Sequence, residues 1–403
     1  MSIKAMSSHQ PAAGEMHAGA PARVKVVWLD GSDVLLDSLL ADWLQMLHGD
    51  PLASVYLHPE LALAHADQPA ALPAIYARKH QDDEYPNKLA ALAVLPPKII
   101  RAYPIPGCRW GIPLQGYWLA GNQLLGQHAS QTVAEFVAAA VHLLNSSNAQ
   151  CIYFDDINVD SDLWNAIHDA GRAGHVIVSR LYTPQTHWWI QFPDDPEQYW
   201  QHVHSKTRRN LRSAARKLEH SVTCFTQKHQ VPLMLDQVHQ VSLQTWQAKR
   251  LGRTIRDSRG TRQFWETIAS LGALRSYILS HDGRPVAFLL ASHFNGRMIL
   301  EEQGYDMSLR ALSPGSVLYL RVLEDLIARN TPRLVDFGFG HADYKEWLCN
   351  RQTLTGPVMM IRRSCWPATV MWLDGLRRKL SERLHTRLRN WRLAGLFRRI
   401  YRH

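Results

Sequence analysis

One succession of apolar patterns occurs twice along this chain, and that repetition constrains the fold more than any other feature. In the second half, helical spacing over residues 197–219, 232–248 and 262–271 leads to strand-like runs at 274–280 and 286–292. These are joined by His281-Asp-Gly-Arg284, a hairpin turn sequence. Past Asn295-Gly296 come a strand at 298–303, a helix at 316–328 and a strand at 334–337. The first half runs in a comparable order: a strand at 24–29, an amphipathic segment at 35–47, and Val55-Tyr-Leu-His-Pro59. A hairpin follows, 72–78 with 89–95 around a polar loop, then a strand at 112–119, a helix at 132–144 and a strand at 151–154. Both halves place Gly-Tyr at or just after a strand (Gly116-Tyr117, Gly304-Tyr305), with a helix and an acid-tipped strand next. The pattern predicts two copies of one α/β unit joined near residues 179–196.

With 403 residues there is enough chain for two cores. The expected division is a disordered leader over 1–22, domains over 23–185 and 186–364, and a basic amphipathic helical tail over 365–403. The leader is rich in Ala, Ser and His without an apolar core, unlike a signal peptide. No run reaches the ~18–20 apolar residues a bilayer crossing needs. Five cysteines, an odd number with no C-x-x-C pair, indicate neither a disulfide framework nor a zinc site. A cytoplasmic location fits these features, with peripheral contact at the inner membrane face through the tail as an option. The net charge of +10 favours anionic partners: phosphorylated cofactors, RNA, acidic glycans or an anionic membrane.

Two segments carry chemistry. In Leu312-Ser-Pro-Gly-Ser316, Pro314 and Gly315 allow a tight turn into the helix, so the N–H groups of Ser316, Val317 and Leu318 are expected to point outward as an anion site. A plain Ser-Pro helix cap is the alternative. In Asp336-Phe-Gly-Phe-Gly340, the glycines permit close approach at the end of a strand, and Tyr344 and Lys345 follow at the same end of the sheet. A strand-end turn with a solvated lysine is the alternative there. Asp336-Phe-Gly338 is not a kinase magnesium motif, because no G-x-G-x-x-G or H-R-D sequence precedes it.

Together with Tyr199-Trp-x-x-x-x-Ser-Lys-x-Arg-Arg-Asn-Leu-Arg212 and Gly304-Tyr-Asp306, these segments resemble the bacterial GNAT-like acetyltransferases associated with cellulose and exopolysaccharide biosynthesis, relatives of the Fem-type peptidoglycan aminoacyltransferases. The resemblance implies tandem GNAT-like (acyl-CoA N-acyltransferase) domains, α/β in class, each a mixed, mostly antiparallel sheet flanked by helices. It implies acetyl-CoA or another acyl-CoA as donor, no metal, and a glycan or cell-envelope precursor as acceptor. Donor binding then falls to Ser313, Gly315, Ser316 and Val317, and the first half, with Leu124-Leu-Gly126 in the equivalent place, shapes the acceptor cleft. The 336–345 segment lines the active site, with Lys345 on a phosphate or the oxyanion and Tyr344 returning a proton to the thiolate.

Acyl transfer needs a proton acceptor, and Glu301, Glu302, Asp336 and His341 are the candidates. Strand alternation lets only one of Glu301 and Glu302 face the cleft, and Glu302 is taken. On the helix after Ser205, Lys206, Arg208, Arg209 and Arg212 are either a solvated basic face or, as the resemblance suggests, contacts to phosphates of acceptor or donor. In the tail, Leu373, Leu376, Leu380, Leu384 and Leu388 recur at helical steps among arginines. That suits an anionic membrane, a helix docked on the protein body, or RNA. DNA binding has no support in the sequence. Fem-like transfer from aminoacyl-tRNA is disfavoured by the lack of a coiled-coil insertion between Ser205 and Pro314, and a non-catalytic accessory to a polysaccharide synthase stays open.

Overall fold

The computed structural model describes residues 23–29, 35–63, 70–77, 88–102, 111–126, 130–364 and 366–377. The expected leader, and the tail beyond residue 377, lie outside them. The chain forms two compact units: His48–Leu61 joins Gln185–Thr353 in one, and the other described residues make up the other.

The unit containing residues 185–353 has twelve principal elements in chain order: β1 (Gln185–Gln191), α1 (Ser205–Lys217), β2 (Ser221–Phe225), α2 (Val231–Ser242), α3 (Trp246–Leu251), α4 (Arg259–Ser270), β3 (Ser276–His281), β4 (Arg284–Phe294), β5 (Arg297–Tyr305), α5 (Pro314–Ala328), β6 (Leu334–Phe339) and α6 (Asp343–Leu348). Its six strands lie in the order β2-β3-β4-β5-β6-β1. All neighbours are antiparallel except β5 and β6, which are parallel. Asp282 (φ 49°) and Gly283 (φ 71°) make the β3–β4 turn, the two left-handed residues that a tight hairpin demands.

Strand β4 is buried on both faces, hence its unbroken apolar run. Ala287, Leu289 and Ala291 meet the core under α1 and α5, which contribute Leu211, Ala215, Val317 and Leu320. Phe288 and Leu290 meet the other core with Met234, Val238 and Ile268 of α2 and α4. Val55 and Leu61 complete this second core, so the His48–Leu61 segment belongs with this unit.

Two of the expected helices are interrupted. The 197–219 segment breaks at Val203, which turns extended and buries its side chain, while His204 Nδ1 caps α1 by accepting the Lys206 N–H at 3.2 Å. The 232–248 segment stops at Ser242 and restarts as α3 under a Thr245 cap. Strands β1 and β2 and helix α6 have no counterpart in the sequence expectation.

In the other unit, the strand Ile112–Trp118 runs antiparallel to Pro97–Ala102 and parallel to Cys151–Asn158. Cys151–Asn158 in turn pairs with residues 355–361. The helix Ser130–Ser146 packs Phe136, Val137, Ala140 and Leu144 on Ile152, Phe154 and Met360. A second sheet takes Arg23–Leu29, Ala70–Ala77, Lys88–Leu92 and Leu125–Gly126. Both units therefore contain a strand, a helix and a second strand parallel to the first, as the repeated order predicts. In this unit, however, the antiparallel strands are divided between two sheets. Residues Leu125–Gly126, at the place of the Ser-Pro-Gly loop, are a short strand paired with Ala91 and Leu92.

Gly116 pairs with Cys151 in the parallel ladder, and a Cβ there would run into the Cys151 carbonyl oxygen. Gly116→Ala should therefore lower stability by about 1–3 kcal/mol, read as a lower urea midpoint by tryptophan fluorescence.

Candidate active site

Strands β5 and β6 stay in register for three pairs only, from Arg297↔Leu334 to Ile299↔Asp336. Beyond them lies a cavity of about 460 Å³ at the start of α5. Gln303, Gly304 and Tyr305 of β5, Gly315, Ser316 and Tyr319 of α5, and Tyr344 and Trp347 of α6 line it, with Trp246 of α3 at the side.

The loop into α5 differs in detail from its expected form. Ser313 is the N-cap with a left-handed backbone (φ 55°), and its carbonyl accepts the N–H groups of Ser316 (3.0 Å) and Val317 (3.1 Å). Those two donors are thus taken up by the helix itself, because it begins at Pro314 rather than at Ser316. Val317 is fully buried in the core, so its side chain does not face the cavity. Gly315 and Ser316 do line it, and a Cβ on Gly315 would lie 3.2 Å from the Tyr305 ring. What this helix start keeps for an anion is the positive end of the helix dipole.

A β-bulge overturns the expected alternation at the two glutamates. Leu290 opposes Glu302 and Ala291 opposes Leu300, which leaves Glu301 as the extra residue. Glu301 accepts hydrogen bonds from Tyr56 Oη (2.8 Å) and Ser292 Oγ (3.1 Å). Since Ser292 and Leu290 lie on one face of β4, both glutamates face the same side of the sheet. Glu302 is exposed, in the field of Arg253. Burial pushes the Glu301 carboxyl up to about 7 and the Asp336 charge adds to this, while Tyr56, Ser292 and Arg297 pull it down. Tyr56 stacks on Phe264 of α4 at 6.0 Å, which fixes the phenol.

Asp336 is buried and fully engaged. It lies 2.5 Å from His187 Nε2 on β1 and 2.7 Å from an Arg297 guanidinium nitrogen on β5, and it accepts the Gly338 N–H at 2.9 Å. Burial alone would raise its pKa, but the His187 hydrogen bond and the charges of His187 and Arg297 prevail and hold it at about 2. A carboxylate so acidic and so occupied is a poor proton acceptor at neutral pH.

Lys345 is buried too, its ammonium donating to the carbonyls of Gly338 (3.1 Å) and Phe339 (2.8 Å). It thereby closes the turn in which Gly338 (φ 69°) and Gly340 (φ 89°) are left-handed, and it is not among the residues lining the cavity. The alternative of a solvated lysine does not hold either, since the ammonium is turned inward. Tyr344 does line the cavity, bonded to Gln303 and stacked 5.0 Å from Tyr319.

Lys206, Arg209 and Arg212 lie exposed on α1 with Arg208 partly covered, and none lines the cavity. His341 is exposed beside Glu346. Sequence reasoning missed Tyr56, His187, Arg297 and Trp246. Tyr56 lay inside the Val55-Tyr-Leu-His-Pro59 run, though with no role assigned, and the alternating aromatic run Gln185-Thr-His-Trp-Trp-Ile190 offered a signal for His187 as a strand. No group of metal-ligating side chains occurs among the described residues.

The arrangement is that of a GNAT-like fold. Residues 205–346 match the family model described as acetyltransferase (GNAT) domain, and the fold is α/β and GNAT-like, a mixed sheet flanked by helices. Among solved structures, FemX superimposes with a TM-score of 0.57 at 10% identity, over 80% of this chain and 96% of that one. The C-terminal domain (DUF2156) of a putative lysylphosphatidylglycerol synthetase from Agrobacterium fabrum gives 0.50 at 13% identity, over 84% and 96%. At such identities the likeness is one of fold. No curated protein matches the sequence.

The raised Glu301 pKa has a consequence for stability. Its folded value lies above the ordinary 4.5, so its contribution is complete below about 4.5 and is lost as pH rises through about 7. Melting temperatures of the wild type should therefore fall from pH 5 to pH 8 relative to those of Glu301→Gln; parallel curves would contradict the burial of this carboxyl.

Proposed function

We propose that this protein transfers an acyl group, acetyl in the simplest case, from coenzyme A to an amine or hydroxyl of a glycan or other cell-envelope precursor. The observation that carries the reading is the cavity at the start of α5, where β5 and β6 have parted, with a near-neutral carboxyl two residues away on β5. Glu301 does not itself line the cavity, so a proton from a ligand there would reach it through a chain of water rather than by direct contact. The acceptor class follows from the motif resemblance to proteins of polysaccharide biosynthesis.

In this reading the Gly315–Ser316 helix start, with the Ser313 hydroxyl, takes the donor's phosphates. Glu301 replaces Glu302 as the proton acceptor. The acceptor's nitrogen or oxygen attacks the thioester carbonyl and its proton passes to Glu301. The carbon–sulfur bond then breaks, and Tyr344 donates a proton to the departing thiolate. Asp336 and Lys345 act as positioning residues: the first holds β1, β5 and β6 together, the second holds the turn before α6. The basic face of α1 is left for the acceptor.

Two measurements test the reading. Calorimetry should detect acetyl-CoA binding by the wild type and a loss of at least about ten-fold in affinity for Gly315→Trp, whose indole would occupy the phosphate site; absence of heat with the wild type would sink it. Free thiol release in the presence of an acceptor should fall about 10²–10⁴-fold in Glu301→Gln and change little in Glu302→Gln. The reverse order would return the base to Glu302.

A further inference from the structure

Residues 366–377 form a helix against the first unit's sheet. Val370 and Met371 join Ile100, Leu114, Tyr153, Met359 and Ile361 in one core, and Asp374 is buried beside them. A helix that has given one face to a core ordinarily presents polar residues on the other. Here the opposite face carries Trp366 (58% exposed), Trp372 (66%), Leu373 (40%) and Leu376 (42%), with Thr369 its polar member. The leucine stripe of the tail is therefore not the docked face, at least as far as residue 377. Alongside it lies a groove of about 770 Å³ whose apolar wall includes Ile177, Leu181, Met371, Trp372 and Leu376.

We infer that this face is a docking surface for an anionic lipid membrane, on which the helix lies flat with Trp366, Trp372, Leu373 and Leu376 entering the interface. Charge complementarity selects this occupant. Residues 377–403 carry ten lysines and arginines against a single acid, Glu382, and the spacing of Leu373 and Leu376 continues in Leu380, Leu384 and Leu388. Indoles and leucines on one side with cations around them match the boundary between headgroups and acyl chains of an anionic leaflet. A second copy of the chain fits less well, because a symmetric contact would bring two such basic segments together. RNA fits less well because the outward face is apolar rather than cationic. No helix among the described residues is long and apolar enough to cross a membrane.

The test uses the full chain and co-sedimentation with phosphatidylcholine vesicles, with and without phosphatidylglycerol. The wild type is expected to pellet with the anionic vesicles and to show a blue shift in tryptophan emission. Trp372→Ser/Leu373→Ser/Leu376→Ser is expected to bind roughly ten-fold or more weakly. These side chains are exposed, so the variant should keep the wild-type melting temperature, and its heat of acetyl-CoA binding should match the wild type's. Arg378→Glu/Lys379→Glu should weaken binding at low salt. Equal pelleting with neutral and anionic vesicles, unchanged binding by the triple variant, or a concentration-dependent dimer lost in that variant without vesicle binding would each overturn the inference. Failure of acetyl-CoA binding by the wild type would count against the acyltransfer reading and leave this one standing.

Discussion

The unit of residues 185–353 depends on one buried carboxylate. Asp336 ties together three neighbouring strands: β6, on which it sits, β1 through His187 and β5 through Arg297. Trp189 of β1 lies under the Arg297 guanidinium (5.2 Å) and stacks on His187 (4.1 Å), so the Arg297 cation has an aromatic wall as well as a counter-charge. Losing one partner would leave an uncompensated charge in the interior, which typically costs about 3–5 kcal/mol. This clamp stands at the last paired position of β5 and β6, so it fixes the place where the sheet opens.

Past the clamp β5 and β6 part, and the bulge on β5 sets where Glu301 points. One extra residue re-aims a carboxylate toward Tyr56 and Ser292, and burial brings its pKa close to neutrality. The phenol comes from a segment more than two hundred positions earlier in the sequence, a separation of 245 residues. Placing His48–Leu61 in this unit thus has a chemical consequence as well as a packing one: the carboxyl with the near-neutral pKa is held by a residue from the other half of the chain.

Much of the fold was legible in the sequence. The β3–β4 hairpin was announced by Asp282-Gly283 and the doubly buried β4 by its apolar run, while α5 was announced by periodicity and its leading proline. These signals are local, because turn chemistry and burial period are written into adjacent residues. The segments misjudged were those whose state depends on distant partners. Strand β1 is held by Asp336 and β6, and the break before α1 is set by where Val203 finds a core.

The sequence by itself determined the class of architecture, the loop that starts α5 and the set of acidic residues from which a base could come. Only the tertiary structure decided among those acids. It spent Asp336 on an ion cluster, left Glu302 in solvent, buried Glu301 under Tyr56 and Ser292, and turned Lys345 inward onto two carbonyls. A side chain's protonation and reach depend on burial and on partners brought from elsewhere in the chain. Neither is a property of residue type or spacing. The same holds for the C-terminal helix: its periodicity was plain in the sequence, but which stripe met the core and which was left outward was fixed by packing against the strands of the first unit.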